Sequence, residues 1–438
     1  MRPMQRRIPR WAYVVGVLVA LAAAGLTVWL IWGRAPEDVS NPDAEFTVPE
    51  DKPKAKKRQQ PEDFVWPIFG YTPDRAKAFP TRVVKPPFKK VWRRRADSLL
   101  EFPPVMADKT LYFVTNKGTA VARNAVTGNL RWRRSVGSLS AASPAWWKGR
   151  LYTVTLDGRV TALRAKNGKV LWRKDIASRT ESSPYVRNGR LFFGSEDGTV
   201  YALNARNGRT IWTYGASGAV KAALAYSDGK LYFGVYGGRA YAIRARNGRE
   251  VWSTSTAGLS LGRSGNFYST PAVAFGRVYM GNTDGRVYSF TTGSGEIAWS
   301  KSTGSYVYSG PAAASVRGRG ATVFIGSYTG RFYALDARSG AERWSFQAPG
   351  RISGAAGVIG PVVYFANLAT RETHGLDVRT GKEIFRHKGG GFAPPISDGK
   401  TLYLTGYATQ LAFKPRAVRG ASRSERRARE RNRDRGGS

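Results

Sequence analysis

Few residues in this chain are placed to do covalent or redox chemistry. Its 438 residues include two histidines, His374 and His387, and no cysteine. The missing thiols exclude a disulfide framework, a thiolate metal site, a cysteine nucleophile and lipid attachment through an N-terminal cysteine. Two histidines are too few for a histidine-built metal centre. The acids sit mostly in turns, as Asp157, Asp197 and Asp284 do, where a short carboxylate bonds its own backbone. No Ser-His-Asp order and no carboxylate pair stands out as a catalytic set. "GRSGNFYSTP" (262–271) has the small residues of a phosphate loop but precedes no helical pattern. His387, beside "KGGGF", reads as a solvated loop residue. In "SYVYSGP" (305–311), Tyr306 and Tyr308 alternate. Such a pair either packs between elements or offers a stacking surface to a sugar or peptide.

What the chain has in abundance is positive charge. Seventy Lys and Arg stand against thirty Asp and Glu, a formal net charge of +40. That balance implies anionic surroundings and says nothing about fold.

The first residues point to a membrane. "MRPMQRRIPR" carries four arginines and no acid, and residues 11–32 then run 22 residues without a charge. At about 1.5 Å per residue such a helix crosses the hydrocarbon layer. Trp11 and Tyr13 mark one interface, Trp29 and Trp32 the other. The apolar run continues past Ala22-Ala23-Ala24, too far for the core of a cleaved signal, so a retained single-pass anchor is expected. The arginines precede the span. Residues 1–10 are therefore expected in the cytoplasm, and everything from residue 33 outside it, at the cell membrane. Residues 33–83, rich in Pro, Lys, Asp and Glu, read as an extracytoplasmic linker. Residues 417–438 read as a basic, disordered tail.

Between them lies a repeat. "DGTVYALNARNGRTIW" (197–212) recurs forty residues upstream as "DGRVTALRAKNGKVLW" and forty downstream as "GGRAYAIRARNGREVW". Aligned on its tryptophan, the repeat marks Trp92, Trp132, Trp172, Trp212, Trp252, Trp299 and Trp344, with Phe385 in the last slot. Each unit reads as four short strands. In the unit ending at Trp172 these are "SPAWW", "LYTVTL", "RVTALRA" and "KVLWRK", joined at Lys148-Gly149, Asp157-Gly158 and Asn167-Gly168. Such pairs are hairpin signals, read here as type I′ turns. Four antiparallel strands in forty residues make one propeller blade. "KKVWRRR" has no strands before it, and "TQLAFKP" has no fourth strand after it. The N-terminal strand must therefore complete the last blade and remove the open sheet edge. The expected fold is all-β: an eight-bladed β-propeller over residues 84–416. Seven blades with one degenerate unit is the alternative, since the 360–388 unit lacks both Asp-Gly and Trp.

The spacing Ala202…Gly208…Trp212, with its copies Ala162…Gly168…Trp172 and Ala242…Gly248…Trp252, resembles the PQQ-like, tryptophan-docking propeller repeat. The resemblance covers nearly all of residues 84–416. It implies the fold but not one function, because the repeat occurs in quinoprotein dehydrogenases and in BamB-type assembly scaffolds. The dehydrogenases of this family hold their quinone under a disulfide of adjacent cysteines and on a calcium site of Glu, Asn and Asp. With no cysteine here, that clamp is missing, and no cofactor or metal is expected. BamB-type scaffolds are usually lipoproteins, and the lipidated cysteine is missing too. What the resemblance leaves is a non-catalytic docking ring. A quinoprotein-type oxidoreductase or sugar-acting enzyme using the funnel is the alternative.

Blade geometry sorts the charges. Turns one-to-two and three-to-four share one face. Turns two-to-three and the blade-to-blade connections share the other. The first face collects cations, including Arg206, Arg209, Arg246 and Arg249, and is expected to meet anionic lipid or envelope polymer. The opposite face is mixed. There Arg179, Glu181, Lys221, Arg263, Tyr268, Tyr308 and Arg351 are expected to line a funnel mouth open to a protein or peptide. Nothing singles out a nucleic acid as partner, and the sequence does not set the oligomeric state.

Overall fold

Each repeat unit folds as a four-stranded antiparallel sheet, and eight such sheets make the ring. The computed structural model describes residues 38–48, 65–256 and 265–416. The expected span 11–32, the tail 417–438 and Arg263 lie outside them. No helix among the described residues is long and apolar enough to cross a membrane.

Blade one comprises Val105–Ala107, Thr110–Val114, Thr119–Asn124 and Leu130–Ser135, from the channel outward. Blades two to seven repeat the pattern. Blade eight takes Ile396–Ser397, Leu402–Thr405 and Thr409–Pro415 from the C-terminal part, and its outer strand is Phe88–Arg95. Trp92 there pairs with Ala412 and Arg95 with Thr409. The ring thus closes as the unmatched strands require, and eight blades stand rather than seven.

The tryptophans join neighbouring blades. Each indole N–H donates to a backbone carbonyl of the next blade: Trp92 to Ala125 at 3.0 Å, Trp132 to Ala165 at 2.8 Å, Trp172 to Ala205 at 3.1 Å and Trp212 to Ala245 at 3.3 Å. Trp252, Trp299 and Trp344 do the same to the carbonyls of Thr292, Ala337 and Val378, in that order. The ring system lies against a glycine of the same turn. A Cβ added at Gly168, Gly208 or Gly248 would fall within 2.7–2.8 Å of the facing indole. These glycines also hold φ near +70°, which side-chain-bearing residues rarely adopt. Sequence and packing therefore select the same residue. Trp92, Trp252 and Trp299 are buried, whereas Trp132, Trp172, Trp212 and Trp344 are half-buried at the rim. In the last slot Phe385 packs on Phe88 and Phe413, without a donor.

Two sequence expectations change. The one-to-two turns, such as Lys148-Gly149, have both residues at positive φ, as type I′ requires. At Asp157-Gly158 and Asn167-Gly168 only the glycine does. The Asn167-Gly168 loop is longer, with the Gly168 N–H returning to the Arg164 carbonyl at 2.8 Å. This matches a tight turn ended by a left-handed glycine.

The second change concerns residues 33–83. Their described parts do not hang free as a linker. Residues 38–48 lie along blade five. Ser40 bridges Trp299 in antiparallel fashion, and the Asn41 N–H donates to the Ala298 carbonyl at 2.7 Å. The Asp38 carboxylate meets Lys301 at 2.9 Å and Arg286 at 3.2 Å. Residues 65–79 form a strap around the inside of the channel. The inner strands donate to it in turn: Met106 to the Trp66 carbonyl, Trp146 to Pro67, Tyr226 to Pro73, Val273 to Asp74, Ala313 to Ala76 and Val358 to Lys77, all at 2.7–2.9 Å. Blades one, two, four, five, six and seven are thereby tied to one segment. Arg75 and Lys77 are buried within it. The Arg75 guanidinium donates to the carbonyls of Leu224, Phe69 and Ser183 at 2.5–3.0 Å. The Lys77 ammonium donates to those of Arg75, Thr270 and Pro311 at 2.9–3.3 Å. Backbone dipoles take the place of a carboxylate around both cations.

Candidate functional site

On the face of the blade-to-blade connections, the channel opens as a funnel above the strap. Forty-residue spacing places equivalent positions side by side around it. One such position is Glu101 before blade one, Glu181 before blade three and Lys221 before blade four; another pair at that spacing is Tyr268 and Tyr308. The repeat keeps the backbone constant and varies this position. Serines beneath it cross-link the connections: Ser182 Oγ donates to the Ala222 carbonyl at 2.9 Å, Ser269 Oγ to Ser309 at 3.0 Å and Ser309 Oγ to Gly354 at 2.9 Å. The varied side chains thus stand on a rigid rim.

On one side of the mouth is an ionic cluster. Lys221 Nζ lies 2.6 Å from Glu181 Oε1 and 3.1 Å from Glu196 Oε1, and Arg179 Nε lies 3.4 Å from Glu196. Burial pulls the Lys221 ammonium down, but the hydrogen bonds and charges of Glu181 and Glu196 outweigh it and leave its pKa raised. Burial pushes the Glu196 carboxyl up, and Lys221 with Arg179 brings it below its ordinary value. The Tyr268 hydroxyl donates to Glu181 Oε2 at 2.8 Å. Its pKa is raised by burial and by Glu181. Glu101, across the mouth, is also raised, by burial and then by Glu181. It can take up a proton more readily than a surface glutamate.

The other side is aromatic. Tyr236 neighbours Tyr268 at 6.3 Å, Tyr268 neighbours Tyr308 at 5.7 Å, and Tyr308 lies 4.8 Å from Tyr328. Tyr306 joins Tyr308 and Tyr328 at about 6 Å and is 53% exposed. The Arg351 guanidinium sits 5.7 Å over the Tyr328 ring. The floor is apolar: Phe69 of the strap packs with Phe102, Ala223 and Ala355. The tyrosines run on directly from the ionic cluster, with Tyr268 bonded to Glu181 and the Lys221 ammonium 5.4 Å over the Tyr236 ring, and the chain's own N-terminal part supplies apolar packing beside them. Rings and peptide planes can stack on such a run while the ionic side orients polar groups.

Of the expected mouth residues, the structure brings together Arg179, Glu181, Lys221, Tyr268, Tyr308 and Arg351. Sequence reading missed Glu101, Tyr236 and Tyr328; turn position puts Glu196 on the mixed face, but it was not among the expected mouth residues. Equal spacing was the available signal, since Glu196 and Tyr236 are forty residues apart in the same turn. Arg206, Arg209, Arg246 and Arg249 are exposed on turns of blades three and four, on the opposite face. His387 is not a loop residue. It lies on the outer strand of blade seven, 5.1 Å from the Phe413 ring.

Known proteins share this architecture. The family described as outer membrane protein assembly factor BamB matches residues 89–148, 138–316 and 309–413. The chain belongs to this family. Among solved structures it is similar to BamB from Moraxella catarrhalis, at 16% identity and a TM-score of 0.64, over 75% of this chain and 100% of that one. It is similar also to a quinohemoprotein alcohol dehydrogenase from Pseudomonas putida HK5, at 16% identity and a TM-score of 0.70, over 82% of each chain. A quinohemoprotein alcohol dehydrogenase from Comamonas testosteroni matches at 14% identity and a TM-score of 0.68. At these identities the likeness is one of fold. No protein of curated function matches significantly.

The resemblance of the repeat to quinoprotein dehydrogenases implies a quinone with calcium, and the residues at the mouth do not fit that group. The chain has no cysteine for a disulfide clamp. The two carboxylates that approach one another, Glu181 and Glu196, hold the Lys221 ammonium between them. A divalent cation there would be repelled by that ammonium.

Proposed function

We propose that this BamB-family propeller is a non-catalytic binding scaffold outside the cytoplasm, tethered to the membrane through residues 11–32. Its funnel mouth takes a protein or peptide segment. The observation that carries this reading is the mouth itself, where Lys221 neutralises the paired carboxylates beside a run of tyrosines. Such a surface binds side chains and peptide planes without supplying a nucleophile or a metal site. BamB, the family's namesake, is described as an assembly factor, which accords with a docking role.

The second reading, a quinoprotein-type oxidoreductase, draws on the fold likeness to the alcohol dehydrogenases. One assay separates them. The purified protein, given pyrroloquinoline quinone and calcium, should show no dye-linked oxidation of alcohols or sugars. Turnover well above background would overturn the scaffold reading. Topology has its own test: protease added to intact spheroplasts should digest the propeller, and a fully protected propeller would place it on the other side.

A further inference from the structure

The outer strands of the blades are not alike in charge. Those of blades eight, one and two read FKKVWRRR, LRWRRS and VLWRKD, with ten Lys or Arg and one acid between them. That acid, Asp175, is paired with Arg159 at 2.8 Å. The outer strands of blades three to seven read TIWTYG, EVWSTS, IAWSKS, ERWSFQ and EIFRHK, with four Lys or Arg and three acids. The excess therefore sits on one arc of the rim. Lys89, Lys90, Arg93, Arg95, Arg131 and Arg133 are exposed there. The described ion pairs involve none of the ten.

Strand geometry arranges these cations in rows. Alternate residues share a face, so Arg93 with Arg95, and Arg131 with Arg133, stand about 7 Å apart along their strands. Arg94 and Arg134 instead reach across to the next blade, donating to the carbonyls of Thr127 at 3.0 Å and Gly168 at 3.2 Å. The accumulated potential is felt nearby. Burial, then Lys90 and Arg93, holds the His387 imidazole below its ordinary value. Arg416 adds to the same arc, its N–H donating to the Pro87 carbonyl at 2.8 Å beside the outer strand of blade eight.

We propose that the outer edges of blades eight, one and two form a docking surface for a linear phosphodiester polymer of the envelope. This rests on the reading of the chain as an anchored binding scaffold. A row of unpaired cations at strand spacing matches a chain of repeating phosphates, each neutralised with release of counterions. The arc is convex, and a flexible chain can follow it where a flat bilayer touches only its crest. The exposed Arg206, Arg209, Arg246 and Arg249 lie on turns of one face and outside this arc.

The test uses the full chain in detergent and immobilised poly(glycerol phosphate), at low and physiological salt. The native protein should bind, more weakly as salt rises. Reversing Lys90, Arg93, Arg131 and Arg133 to Glu should weaken binding about tenfold or more and flatten the salt dependence. Reversing Arg206, Arg209, Arg246 and Arg249 should change it by no more than about twofold. Glutamine at the four rim positions, a milder change, should give a smaller loss in the same direction. Equal losses from the two sets, no loss from the rim set, or no binding by the native chain overturns the proposal. So does tighter rim-dependent binding to anionic vesicles or to single-stranded DNA than to poly(glycerol phosphate). Dye-linked turnover together with rim binding would remove the scaffold reading and leave this surface standing.

Discussion

Trp212 lies so close over Gly248 of the following blade that a methyl group there would fall 2.8 Å from the indole, whose N–H donates to Ala245 at 3.3 Å. One contact therefore joins two residues thirty-six positions apart, and each has its own cost of loss. Trp212→Ala should destabilise the ring by about 3 kcal/mol, the lower end for a large aromatic because the indole is half-buried. Gly248→Ala should cost about 1–2 kcal/mol from its backbone alone, and more as the indole is displaced. The double variant should lose less than the sum, since both changes remove the same contact. Denaturant midpoints measure all three. Strict additivity would show that the two residues do not support one another.

Lys221 should govern the acid limb of stability. Glu196 is held below its ordinary value in the folded state. Its contribution is therefore present above the ordinary carboxylate value of 4.5 and lost as pH falls through the folded value. Lys221→Met leaves Glu181 and Glu196 facing one another without the ammonium. The variant should be less stable at neutral pH by about 1–2 kcal/mol, between the ranges for exposed and buried pairs. It should also lose less on acidification, because its carboxylates gain from taking up a proton. Melting temperatures across the acid range report this. A variant curve parallel to the native one would count against the cluster.

Arg75 should hold the strap. Arg75→Leu leaves the carbonyls of Leu224, Phe69 and Ser183 without their donor, at about 1–3 kcal/mol for each that stays unsatisfied. Beyond a lower melting temperature, amide exchange should quicken at Trp146, Tyr226 and Val273, whose N–H groups bond the strap. Unchanged exchange there would show that the strap stays in place without the guanidinium.

His387 should report on the basic arc. Its depressed pKa makes stability rise with pH as the solution passes upward toward 6.5, where the unfolded chain releases its proton. Replacing Lys90 and Arg93 with Gln should raise the imidazole pKa toward 6.5 while leaving the part due to burial. With two histidines in the chain, an NMR titration resolves the shift. A pKa that does not move would assign the whole depression to burial.

The blades were legible because most state the same plan: a tryptophan, a glycine and two alanines at fixed offsets, as in the units ending at Trp132, Trp172, Trp212, Trp252 and Trp344. Closure was legible from one strand too many at the start and one too few at the end. The strap was not. It bonds a different blade every one to six residues, so no period survives. Tyr71, Arg75 and Lys77 there adopt positive φ, which no side-chain pattern announces. A Lys and an Arg read as solvent-seeking, and the carbonyls that receive them come from blades more than a hundred residues away. The aromatic run "FVWPIFGY" was the one local sign of burial. At the funnel mouth the order of residues was visible, but the pairing of Lys221 with both Glu181 and Glu196 depends on how neighbouring connections lean together.

Chain order gives the strap and the closing strand different histories during synthesis. Trp92 pairs with Ala412, so its partner leaves the ribosome 320 residues later. At about 5–20 residues per second that is an interval on the order of 15–60 s. Throughout it, Phe88–Arg95 is an unpaired edge beside an incomplete ring, and its five cations oppose pairing with other chains. The strap is already made when the first inner strand emerges. Each new blade then meets a surface to which its inner edge can bond, and the growing ring is gauged from the inside before its ends can meet.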